Sequence, residues 1–91
     1  HFRLGTAASY LRMGGFSHQR LIEQLEFEGY SNEDATFAAD HCGADWMDQA
    51  EMSAKSYMRF MNFSRAGLIS QLQFEGFTAE QAAHGADSVG L

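Results

Sequence analysis

A chain of 91 residues with 45% hydrophobic and 20% charged residues has the makings of one small globular domain, or of two very small ones that share an interface. Its 12 acidic and 6 basic residues leave a net charge of −6, and Arg3, Arg12, Arg20, Lys55, Arg59 and Arg65 stand singly along the sequence, so no phosphate-neutralising face is expected and nucleic acid is not an expected partner. One cysteine and no proline exclude an internal disulfide, a Cys-based zinc site and helix breaks imposed by a ring, and no apolar run approaches the roughly 20 residues of a membrane span.

The chain opens at His1 with neither Met nor a signal peptide, and reads as a fragment or a processed product. A first helix is expected over 4–13, ended by Gly14-Gly15. Ser17 then has the character of an N-cap for a second helix, with Phe16 before it and Leu21 four residues after it in hydrophobic-staple spacing. That helix runs to about Glu28 and stops at Gly29. Ser31 caps a third, with Asp34 three positions on as a short version of a capping box. The third helix carries a stripe of small residues, Ala35, Ala38, Ala39 and Cys42, and Cys42 reads as a small buried hydrophobe.

The junction, residues 44–49, reads as helix more than as flexible linker, and Trp46-Met47 is expected to pack on both cores. From near Asp45, Met47, Ala50, Ala54, Tyr57, Met58 and Met61 line one face of a helix of about sixteen residues. The earlier sequence then returns. Ser64 caps the next helix behind Phe63 and ahead of Leu68, Gly76 stops it, and Thr78 with Gln81 forms a full capping box before Ala82, Gly85, Ala86 and Val89.

The return is a repeat with a constant offset of 47 positions. Residues 7–43 laid on residues 54–90 agree at 18 of 37 positions without a gap, and each half holds three basic and six acidic residues. The chain is therefore read as all-α, two tandem three-helix units resembling helix-turn-helix domains, the first over residues 1–43 and the second over residues 44–91 with a longer first helix. A unit of some 37 residues is too small to stand easily alone, so the two are expected to share an interface.

The helix-turn-helix outline invites a DNA-binding reading, but the positions that would face a groove hold Glu33, Asp34, Asp40, Glu80 and Asp87 and no Arg or Lys. His1, His18, His41 and His84 lack metal-ligand spacing, and His18 and His41 become Arg65 and Ser88 in the second unit. No nucleophile–base order emerges, so neither an enzyme nor a cofactor or metal site is expected. More telling are Glu28 and Glu75 near the end of each second helix, and Asp40 and Asp87 near the end of each third, where the helix dipole disfavours an anion. Two readings stand: each carboxylate pairs within its own unit or accepts from nearby N–H groups, or the four form an acidic protein-binding surface presented twice.

The pattern Ala-x-Ser-Tyr, then Phe-Ser-x-x-x-Leu-Ile-x-Gln-Leu-x-Phe-Glu-Gly followed by Tyr or Phe and Ser or Thr, ending in Ala-Asp-x-x-Gly, occurs at residues 7–43 and 54–90. It resembles the repeat of the host cell surface-exposed lipoprotein (Ltp) family. The resemblance implies a small helical unit and an extracytoplasmic, cell-surface location, with any lipid anchor upstream of His1, since Cys42 lies mid-helix. It also implies superinfection exclusion, in which prophage-encoded lipoproteins block DNA injection by acting on the tape-measure protein of an incoming phage. The chain is then expected to be a monomeric protein-binding module that meets a membrane only through that anchor. The alternative is an envelope-associated structural or wall-targeting repeat with no phage role.

Overall fold

The computed structural model describes residues 2–91, with side chains from Ala7 onward. Six helices follow one another: α1 (Phe2–Met13), α2 (His18–Phe27), α3 (Asn32–His41), α4 (Trp46–Phe60), α5 (Arg65–Phe74) and α6 (Ala79–Ser88), with no strand among the described residues. Their boundaries follow from side-chain chemistry. Ser17, Ser31, Ser64 and Thr78 each accept from the backbone N–H three residues on, and Asp45 accepts from Met47 and Asp48. At Thr78 the Gln81 side chain reaches back to the cap N–H, completing the capping box.

Each trio closes on its own core. In the first repeat Ala7, Leu21, Leu25, Ala35, Ala38 and Ala39 are buried; in the second, Ala50, Ala54, Leu68, Leu72, Phe77, Ala82 and Ala86. Five of these positions correspond across the 47-residue offset, so one pattern folds the same way twice. The small-residue stripe of the third helix lets its neighbours come close. At Gly85 an added Cβ would lie 2.9 Å from the Ala50 carbonyl and 3.0 Å from Leu72, so glycine is what allows α6 to seat against α4. The core aromatics recur as well, with Tyr10 edge-on to Phe16 at 5.4 Å and Tyr57 edge-on to Phe63 at 5.7 Å.

The two repeats lie side by side in a body of 39 × 21 × 19 Å, and the closest helix packing lies within each repeat. Between them runs a seam made by polar groups at helix ends. Ser17, fully buried, donates its hydroxyl to the Glu75 carbonyl at 2.7 Å, joining the start of α2 to the end of α5. Buried Gln49 accepts from the Phe16 N–H and donates to the Leu11 carbonyl. Trp46 does not span both cores as the sequence suggested: it packs on the first core and meets His18 edge-on at 5.3 Å. The junction is mostly helical, as expected: α4 starts at Trp46 behind the Asp45 cap, and of residues 44–49 only 44 and 45 lie outside it. Hydrogen bonds across short loops, rather than an aromatic wedge, hold the halves together.

Candidate functional site

The four candidate carboxylates occupy three kinds of place. Asp40 lies 2.7 Å from Nε2 of His18, tying the end of α3 to the start of α2. Asp87 does the same in the second repeat, accepting from Nη1 of Arg65, which also donates to the Leu91 carbonyl. The exchange of His18 for Arg65 thus keeps a nitrogen donor facing the same aspartate, and this pairing accounts for a carboxylate at the unfavourable end of a helix. Both pairs are largely exposed and contribute little to stability.

Glu28 and Glu75 hold equivalent positions in different surroundings. In the first repeat Gln24 donates to the Tyr10 hydroxyl and reaches toward Glu28, which is exposed. In the second, Gln71 donates to the Tyr57 hydroxyl and Tyr57 donates to Glu75, which is half-buried at the seam. Burial raises the Glu75 carboxyl pKa above its ordinary value of 4.5, and the nearby Arg20 guanidinium from the first repeat partly offsets the rise.

Glu75 borders an open cleft of about 600 Å³ along the seam. Arg12 at the end of α1 lines it, together with Lys55 and Arg59 one helical turn apart on α4. Arg20 borders an adjoining hollow that shares Gly14, Gly15 and Glu75. This corrects the reading that the cations are dispersed: four of the six border connected depressions where the repeats meet. The sequence held part of the signal, since Arg12 and Arg59 are repeat equivalents and Met52, Lys55, Ser56 and Arg59 share one helical face. The rest depends on how the two repeats dock. On another side of the seam, Asp40 lines a second cleft with His18, Trp46, Thr78 and Gln81. Asp87 borders none of these three depressions.

Sequence reasoning passed over a second repeated feature. Phe27 and Phe74, the aromatic of each Phe-Glu-Gly, are 86% and 77% exposed, and Met13 and Phe60, also repeat equivalents, are 77% and 81% exposed. Large apolar side chains kept at the same exposed positions in both repeats do nothing for either core. Their spacing gave them away: Phe27 and Phe74 fall off the face set by Leu21 and Leu25, and by Leu68 and Leu72.

Two copies of a three-helix unit, each with its own core and joined through a polar seam, define an all-α tandem-repeat protein. The family model for host cell surface-exposed lipoproteins matches the chain twice, at residues 4–42 and 45–89, and the chain belongs to that family. No curated protein and no solved structure matches the chain. Among the described residues, no helix is long and apolar enough to cross a membrane.

Proposed function

We propose that the chain is a protein-binding module displayed outside the cell membrane, acting as a monomer in superinfection exclusion by engaging the tape-measure protein of an incoming phage. The observation that carries this reading is the pair of exposed phenylalanines, Phe27 and Phe74, each followed by a glutamate and presented once per repeat. Exposed aromatics beside carboxylates suit a partner segment with apolar and basic side chains. The net charge of −6 would draw such a segment in. Membership of a host cell surface-exposed lipoprotein family supports the location. Binding alone suffices for a block to DNA entry.

The test is phage challenge of a susceptible host that displays residues 1–91 on a lipid anchor, scoring adsorption and intracellular phage DNA separately. The reading expects normal adsorption with little DNA inside, and recovery of DNA entry when Phe27 and Phe74 are both replaced by Ser. These side chains are exposed, so the double variant keeps its fold. Normal DNA entry into cells displaying the unaltered chain, repeated across several phages, overturns the reading.

A further inference from the structure

The seam cleft gathers positive charge in a chain that has little of it. Arg12, Lys55 and Arg59 line the depression, whereas the whole sequence holds six cations against 12 carboxylates. Among the described residues, Lys55 and Arg59 have no ion-pair partner within 4.0 Å and no side-chain hydrogen bond, and the Arg12 guanidinium donates to the Ser9 hydroxyl. Like charges brought to one cleft repel one another, and an anion placed among them removes that repulsion. The lining carries one carboxylate, Glu75, which accepts from Tyr57, so the three cations outnumber it.

The lining also selects the kind of anion. One carboxylate offers two oxygens in a plane, whereas a phosphate sets its oxygens tetrahedrally, with two terminal oxygens and one charge in a diester and three with up to two charges in a monoester, so it can meet guanidinium and ammonium groups from several directions. Beside the cations the cleft presents the Ser56 hydroxyl, which can donate and accept, and Glu75, whose carboxylate can accept beyond the bond it takes from Tyr57. Such a border suits hydroxyl groups carried next to the phosphate. The depression is open rather than enclosed, and its size is within the range of small-molecule sites.

We propose that the cleft between the repeats binds a phosphate group borne on a short hydroxylated carbon chain, with Arg12, Lys55 and Arg59 holding the phosphate and Ser56 and Glu75 meeting the hydroxyls. Such a group occurs in free polyol phosphates and in the glycerophosphate headgroups of anionic lipids. The site is separate from the exposed Phe27 and Phe74 and does not depend on the phage-directed reading.

The intact 91-residue chain is titrated with glycerol 3-phosphate, with inorganic phosphate and with glycerol, following backbone amide shifts by NMR. In parallel it is sedimented with phosphatidylglycerol vesicles and with phosphatidylcholine vesicles. The expected result is saturable binding of glycerol 3-phosphate that shifts amides around residues 12–15 and 52–59, no binding of glycerol, and weaker binding of inorganic phosphate. The double variant Lys55→Gln/Arg59→Gln, altered only at exposed side chains, should weaken glycerol 3-phosphate at least about tenfold. Arg65→Gln, a charge change outside the cleft, should leave it within about twofold. Co-sedimentation with phosphatidylglycerol vesicles that the double variant abolishes assigns the group to a lipid headgroup; binding of the free ester without vesicle uptake assigns it to a soluble or polymeric phosphate. Absence of saturation by either phosphate at tens of millimolar, or an equal loss in Arg65→Gln and the double variant, overturns the proposal.

Discussion

The two repeats agree at 18 of 37 aligned positions, and residues that are identical in both take different surroundings where the repeats touch. Ser17 and Ser64 are identical residues with identical capping bonds, yet Ser17 is buried and spends its hydroxyl proton on the Glu75 carbonyl, while Ser64 is exposed. Glu28 and Glu75 end equivalent helices, yet Glu28 faces water and Glu75 lies half-buried against the other repeat. Gly29 and Gly76 turn the chain with nearly equal positive φ, +104° and +107°, yet space is open around Gly29 and Ser17 and Gln19 crowd Gly76. Within each repeat a residue has one task, forming the unit. At the seam the same residue type has a second task, and only the neighbour across the seam reveals it.

Substitutions that treat the repeats alike should have the largest effects. Leu25→Ala and Leu72→Ala each empty a fully buried site in equivalent cores, so each should cost about 2–5 kcal/mol by chemical denaturation, with similar values for the two. A large inequality would mean that the cores are not equivalent in packing. Next come the turn glycines. Gly29→Ala forces a side chain into a left-handed conformation, at a cost of about 1–3 kcal/mol. Gly76→Ala bears that cost too and brings its Cβ to 2.7 Å from Ser17 Oγ and 3.0 Å from Gln19 Cβ. It should destabilise by about 1–3 kcal/mol more, and equal losses would show that the seam yields freely.

The serines sharpen the comparison at smaller scale. Ser64→Ala removes one cap, worth about 1 kcal/mol. Ser17→Ala removes a cap and the hydrogen bond across the seam, so it should cost about 1 kcal/mol more in the same melts. The smallest effect is one of pH. Because burial raises the folded-state pKa of Glu75, the folded chain holds that proton more readily than the unfolded one. This contribution favours the fold below the ordinary value of 4.5 and is lost as pH rises through the raised value. Glu75→Gln keeps an acceptor for Tyr57 and removes the titration. Relative to the unaltered chain, the variant should therefore gain stability with rising pH across that window, as read from melting temperatures at stepped pH. A constant difference at every pH would contradict the burial account.

Much of the fold was legible because its determinants are local. Ser17, Ser31, Ser64 and Thr78 each sit at the start of an apolar-periodic segment, and the glycines that follow mark the stops. The small-residue stripe of each third helix named its buried face directly. The site was legible only in part. Asp40 and Asp87 were singled out by their awkward position on the helix dipole, but their partners His18 and Arg65 lie 22 residues earlier in each repeat, so the alignment paired His18 with Arg65 without showing what either one faces. The gathering of Arg12, Arg20, Lys55 and Arg59 could not be read from a linear pattern, because it exists only once one repeat is set against the other. Trp46 misled for the same reason: a large aromatic at a junction suggests a wedge, whereas here the seam is closed by Ser17 and Gln49 and the indole belongs to one core.

All of these differences rest on the claim that the seam makes the two repeats one cooperative body, and the cleft depends on it directly. Differential scanning calorimetry of the unaltered 91-residue chain tests that claim most directly. One transition, with calorimetric and van't Hoff enthalpies that agree, is the predicted result, and Gly76→Ala should broaden it or split it in two. Two resolved transitions in the unaltered chain would show two independent units that merely adjoin, and would contradict the account.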